Sequence, residues 1–179
     1  MRKETINILV QSKGRMSSDV EKVFKKNKLK IVKQNERSLT GTIKGHPNVK
    51  ILFMNTSEIC EALAKQVGDI GISGKDLWKE SEPSIQSKIS LAKEYSFGKS
   101  SLIVAVDRFW LDCVNSGDLE DISHEFYHKK KRLMRVATKF KNLTREWLPQ
   151  KELLNTKLLH LKVPLRVQLH LEFLICVQT

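Results

Sequence analysis

Lys13 and Arg15 flank a single glycine directly after an apolar run, Ile6, Ile8, Leu9 and Val10, that reads as a strand. A strand fixes the main chain as far as Val10-Gln-Ser12, Gly14 permits close approach, and the two cations supply charge-assisted donors where the next segment opens a helix. That is chemistry suited to a phosphate. The same residues, Ser12-Lys-Gly-Arg15, also describe an ordinary surface turn with two charged side chains, and spacing alone does not separate the readings.

Such a loop works only if ordered elements hold it, and the chain alternates short apolar runs with amphipathic ones. Ile6 to Val10 reads as a strand; Ser18-Asp-Val-Glu21 then carries a capping-box pattern opening a helix through Val20, Val23 and Phe24 to about Asn27. Leu29 to Val32 and Val49 to Met54 are further strands, and Asn55-Thr-Ser-Glu58 offers caps for a helix holding Ile59, Leu63 and Val67. Asp69 to Gly74 is a buried strand entering a glycine turn, with a helix from Lys75 to Trp78. Leu102 to Val106 and Arg135 to Thr138 repeat the strand signal, the latter ahead of a helix at about Asn142 to Leu148. Strands alternating with helices predict an α/β fold with mostly parallel sheets, whose ligand loops lie at the strand carboxyl ends. The S-K-G-R loop, the G-I-S-G turn and the A-T-K segment all fall there.

Composition narrows the partners. The 179 residues suffice for one domain or two small lobes, and no apolar stretch approaches the ~20 residues of a membrane span. Without a signal-peptide pattern after Met1, the expected location is cytoplasmic. Cys60, Cys113 and Cys176 are far apart and lack a C-x-x-C pair, so they read as reduced thiols and not as a zinc site or disulfide framework. A net charge of +12 calls for an anionic partner: nucleic acid, nucleotide or sugar phosphate. The densest run, His128-Lys-Lys-Lys-Arg132, reads as a solvated loop, with a nucleic-acid patch as the sharper alternative.

Six segments together carry a resemblance. Ser12 to Arg15, Arg37 to Thr40, Pro47 to Leu52, Val67 to Asp76, Ser96-Phe-Gly98 with the strand after it, and Arg135 to Phe140 with Asn142 to Arg145 resemble, in the same order, the catalytic chain of the ATP phosphoribosyltransferase family. The resemblance implies a two-lobed fold similar to periplasmic solute-binding proteins, with an active site in the cleft between lobes. It implies the first step of histidine biosynthesis, in which N1 of the ATP adenine attacks C1 of phosphoribosyl pyrophosphate and expels pyrophosphate. Lys13 and Arg15 then match the phosphate-side cations, beside Gly14, and Arg37 matches a second arginine; Arg15 and Arg37 are the catalytic candidates. Gly71, Gly74 and Asp76 match the turn on the nucleotide side, although glycines also serve backbone geometry and Asp76 also suits a helix N-terminus. Lys139 reads as a phosphate contact or a solvated side chain. Magnesium is implied on the pyrophosphoryl group, with no metal ligands assigned in the chain. A homo-oligomer is implied, as is a regulatory subunit resembling histidyl-tRNA synthetase in one form of the family.

The resemblance stops in the tail. Residues 1–96 read as a first lobe, 97–156 as part of a second, and 157–179 as an anomaly that leaves the second lobe incomplete. The last segment holds no glycine, no aspartate and one glutamate, Glu172, where the family continues with a block resembling G-A-T-E-x-x-P-x-x-G and a loop that embraces the ribose phosphate. Instead, apolar residues occupy every odd position from Leu159 to Phe173, with Pro164 between. Period two predicts a strand, at about twice the usual length and with a proline that central strands exclude, so edge pairing is expected. Regrouping permitted codons from the third base of Leu159 reads T-S-K-G-A-T-E-S-A-A-P-F-G-I. The tail therefore reads as translated out of frame, and the chain as it stands is expected to be inactive or nearly so. Two other classes stay open, a basic nucleic-acid-binding protein and a non-catalytic solute-binding protein.

Overall fold

The computed structural model describes residues 5–14, 16–107, 110, 112–160 and, as backbone, 173–178. The chain divides into two compact units, residues 1–99 and 100–179.

In the first unit, β1 (Ile6–Gln11) lies between β4 (His46–Met54) and β5 (Ile70–Gly71), parallel to both. β3 (Thr40–Ile43) is antiparallel to β4, and β2 (Ile31–Lys33) is antiparallel to β3, giving the order β2-β3-β4-β1-β5. Two reversals cancel, so β1, β2, β4 and β5 all run the same way. Their carboxyl ends share one edge. The alternation of strand side chains puts Val10, Ile43, Ile51 and Phe53 on one face, where they bury against Val20 and Phe24 of α1 (Ser17–Lys26), spaced i, i+4. Leu9 faces the other way, fully buried, beneath the turn at Gly68. A 3₁₀ turn (Thr56–Glu58) leads into α2 (Ile59–Ala64), and α3 (Lys75–Glu80) and α4 (Pro83–Gln86) complete the unit.

The second unit holds a four-stranded sheet in the order β6-β9-β7-β8, from β6 (Ser101–Val106), β7 (Met134–Thr138), β8 (Thr156–His160) and β9 (Phe173–Gln178). β7 is parallel to β8 and β9, while β6 is antiparallel to β9. Leu119 of α5 (Ser116–Lys130) and Leu148 of α6 (Lys141–Gln150) bury with Met134, Val136 and Leu153. Among the described residues, no helix is long and apolar enough to cross a membrane.

The α/β class with parallel strands at the heart of each sheet stands as expected, and several local expectations change. β3 joins the sheet unannounced, because Thr40-Gly-Thr-Ile43 is too short and polar to signal a strand before it pairs with β4. α2 stops at Ala64, and Val67 lies beyond it, exposed, after Gln66 takes a left-handed conformation at φ 58°. Helix α1 begins one residue before Ser18, so the expected capping box is not its start. The run from His128 to Arg132 is not a loop: His128 to Lys130 form the last turn of α5, which ends at Lys131 in the left-handed region. That helix is set by a capping box further upstream, where Asn115 accepts from the Gly117 and Asp118 N–H groups and Asp118 accepts in return. The alternating tail is not one edge strand either. Thr156 to His160 take the sheet edge and Phe173 to Gln178 an interior place, while residues 161–172 lie outside the described residues.

Two measurements check this account. Leu9→Ala lowers the unfolding free energy by about 2–5 kcal/mol in urea titrations, whereas Val114→Ala, at an 85% exposed position, changes it by less than about 0.5 kcal/mol. Asp118 accepts from the Val114 and Asn115 N–H groups, each at 2.8 Å, and these bonds hold its carboxyl below the ordinary range. A depressed carboxyl stabilises the fold above its unfolded pKa of about 3.9, and the contribution vanishes as pH falls through the folded value. Asp118→Asn therefore lowers the melting temperature at pH 7, and the gap from wild type narrows as pH falls below the ordinary carboxylate range.

Candidate functional site

The shared edge of the first sheet gathers the turns after β1, β2, β4 and β5. After β1, the Ser12 N–H still donates to Met54 O at 2.9 Å, extending the ladder by one bond before the chain turns. Gly14 makes the turn at φ 131°, where an L side chain is strained. Its carbonyl accepts from both the N–H and the Oγ of Ser17, at 3.1 and 2.8 Å, which closes the turn onto α1. Lys13 at its apex is exposed, and no ion pair engages it among the described residues. Arg15 lies outside the described residues.

Arg37 is exposed in the turn joining β2 to β3, which lies on the same edge. The Phe53 N–H donates to Leu39 O at 2.8 Å, and Lys33 Nζ sits 3.6 Å over the Phe53 ring, so this turn is pinned to the end of β4. β2 and β3 stand three and two places from β1, roughly 10–14 Å at ordinary sheet spacing. A polyphosphate bridges such a gap more readily than a single phosphate.

Beneath these turns runs a chain of polar contacts. Gln11, at the end of β1, is 4% exposed and meets Thr56 Oγ1 at 3.1 Å; Ser73 Oγ donates to Thr56 O at 3.4 Å. Burial pushes the Cys60 thiol up, a hydrogen bond with Ser73 opposes this, and the charge of Asp76 adds to the rise. The thiol is therefore protonated at neutral pH and serves packing, not nucleophilic chemistry. Gly74 caps α3 at its N-terminal side, and Asp76 in the first turn folds back over it, occupying the space a side chain at residue 74 would need. Gly71 has a packing reason to be glycine, since a Cβ there would stand 2.6 Å from Leu63 Cδ1 and 2.8 Å from Ile59 Cγ2. Thus Lys13, Gly14, Arg37, Gly74 and Asp76 belong to turns at one edge, with Gly71 in the strand below.

In the second unit, the matching position is the end of β7, where the chain enters α6. Thr138 and Thr144, both fully buried, meet through their hydroxyls at 3.0 Å, and the Phe140 N–H donates to Thr138 Oγ1 at 3.0 Å. This pair orders the β7–α6 turn and carries exposed Lys139 on it. Nothing in the sequence marks either threonine as functional beyond a hydroxyl residue at each end of a short strand-to-helix turn, and only the structure shows both buried. The basic run is partly spoken for: Lys129 pairs with Glu125 at 3.0 Å, while Lys130 Nζ lies 4.0 Å and the Arg132 guanidinium 5.1 Å from the Phe126 ring centre. Trp110 packs on the same ring at 5.9 Å. Cys60 and Cys113 are free thiols. No three His, Cys, Asp or Glu side chains converge as metal ligands among the described residues.

Parallel strands with charged and glycine-bearing turns at their carboxyl ends define an α/β protein of the kind that takes ligands at that edge. The family model that matches residues 55–166 is that of ATP phosphoribosyltransferase, and the chain belongs to this family. It is 31% identical over 148 residues to an ATP phosphoribosyltransferase of Chelativorans sp. (strain BNC1), covering 82% of this chain and 64% of that one. With the enzyme of the same description from Rhodopseudomonas palustris (strain BisB18) it shares 38% identity over 141 residues, 78% of this chain and 43% of the relative. The chain thus spans about 43–64% of the length of these curated relatives. Its fold is similar to a chain in the ATP phosphoribosyl transferase (HisG:HisZ) complex from Thermotoga maritima, at a TM-score of 0.64 and 16% identity, covering 98% of this chain and 75% of that one.

The packing of α2 on β5 yields a check. Gly71→Ala forces Ile59 and Leu63 apart and lowers the unfolding free energy by about 1–3 kcal/mol, read from the urea midpoint.

Proposed function

We propose that this chain carries the first-unit chemistry of an ATP phosphoribosyltransferase, which moves phosphoribosyl from phosphoribosyl pyrophosphate to N1 of ATP and releases pyrophosphate. The observation that carries the reading is the gathering of Lys13, Gly14 and Arg37 on turns at one sheet edge, in a chain that belongs to this family. Both substrates are polyanions, and the departing pyrophosphate gains charge in the transition state. Cations fixed beforehand at that edge stabilise the departing group more than the bound one. Lys13 and Arg15 serve the phosphates as donors, Gly14 lets the main chain approach them, and Arg37 reaches a second phosphoryl group. Gly74 and Asp76 shape the nucleotide side.

Magnesium bound with the sugar substrate would neutralise charge on its pyrophosphoryl group, and no residue of this chain is assigned to hold the ion. The reading includes a cytoplasmic homo-oligomer and, for the short form of the family, a regulatory subunit of the histidyl-tRNA-synthetase type. It also makes residues 157–179 an out-of-frame tail, so the ribose phosphate lacks its loop and the chain as it stands turns over little or not at all.

Direct assay of N1-ribosylated product separates these claims. A version with the reading frame restored from about residue 150 forms product, and Lys13→Ala in that version lowers kcat/KM by about 10²-fold, in line with removing one preorganised charge donor. The unaltered chain forms none above background. Equal turnover by the unaltered and restored chains removes the frame reading; turnover by neither, with no ATP binding, removes the enzymatic one.

A further inference from the structure

Helix α1 starts without a side-chain cap from its own N-cap residue, Met16, although a helix start leaves several N–H groups without partners. The missing acceptor comes from the strand before it. With the Gln11 carboxamide nitrogen turned to Thr56, it donates to Thr56 Oγ1 at 3.1 Å, and the oxygen accepts from the N–H of Met16 at 3.3 Å and shares the N–H of Ser17 with the Gly14 carbonyl. The reverse orientation sets the amide NH₂ against two N–H donors, so one orientation alone satisfies every partner. The side chain is 4% exposed, and an unmade bond there is costly.

The consequence is a closed ring of chain. The main chain leaves Gln11, passes Lys13 and Gly14, and comes back at Met16 and Ser17 to the Gln11 side chain. Thr56 anchors the same carboxamide to the turn after β4, and Ser73 ties the Thr56 carbonyl to the turn after β5. Three of the edge turns are thereby laced through one amide. The N–H groups of Met16 and Ser17 are also occupied, which leaves anion contacts to the outer part of the turn.

We infer that Gln11 is a positioning residue for anion recognition: by bonding the first turn of α1 and Thr56 together it holds Lys13 and Gly14 in the conformation that meets a phosphoryl group. This rests on the reading of the edge as a phosphate site. A preorganised turn loses less freedom on binding than a loose one, so the effect falls on affinity. Thr56 acts through the same amide, and its hydroxyl is the group that matters.

Inorganic pyrophosphate, titrated calorimetrically into the full chain, is the probe. Gln11→Met keeps the volume and loses the bonds, and affinity drops about tenfold while amide exchange at Met16 and Ser17 accelerates. Thr56→Val weakens binding in the same direction, Thr56→Ser restores it, and the double variant Gln11→Met with Thr56→Val loses less than the two losses combined. The threonine pair decides the matter if Gln11→Met fails to fold. Wild-type affinity in both Gln11→Met and Thr56→Val, or failure of serine to rescue, overturns the role while the anion site stands. No pyrophosphate binding by the wild-type chain, with the Met16 and Ser17 amides still protected, overturns the site reading and this role with it.

Discussion

Parallel pairing of β1 with β4 and β5 is the constraint from which the first unit follows. Because Ile8 stands beside Ile51 and Ile70, β1 and β4 finish level at Gln11 and Met54, and β5 ends beside Leu9, two residues short of them. A parallel pair cannot be joined by a tight hairpin, so each connection has to cross over the sheet, and α1 and α2 lie within those crossings. The carboxyl ends are then left facing the same way with their turns free. A shift of one residue in β1 would exchange Val10 and Leu9 between two faces that are both buried, forcing each into packing shaped for the other, on the α1 side and beneath Gly68.

Much of this was legible in the sequence where pattern and period were strong. The strand at Ile6, the apolar i, i+4 pair Val20 and Phe24, and the glycine turns at Gly14 and Gly74 all announced themselves through side-chain chemistry. β3 and β9 did not, since their place depends on which distant strand accepts them. α5 was hidden for another reason. Its apolar residues are sparse between charged ones, and its start is decided by the reciprocal bonds of Asn115 and Asp118 more than by a clear stripe.

The site was legible in part. Lys13 and Arg37 could be singled out by type, yet only the double reversal through β3 brings the Arg37 turn round to the Lys13 edge. Gly71 reads the same in a nucleotide turn and in a helix-packing contact, and only the nearness of Ile59 and Leu63 supplies its packing reason. Gln11 gave no signal at all. A glutamine closing an apolar strand looks like a solvent-facing end until its carboxamide is seen buried among Met16, Ser17 and Thr56. Positive charge was overt in composition, but part of it is absorbed locally, as at Phe126 and Glu125, and composition cannot tell an absorbed cation from an available one.

Gly98 stands at φ 67°, one residue before the first unit ends, and its bare Cα rests on the thioether of Met16. The peptide that leaves the unit is thus moored to the start of α1, beside the turn that carries Lys13. A side chain at residue 98 would have to displace the Met16 thioether as well as adopt a left-handed backbone, so glycine answers there to two demands at once.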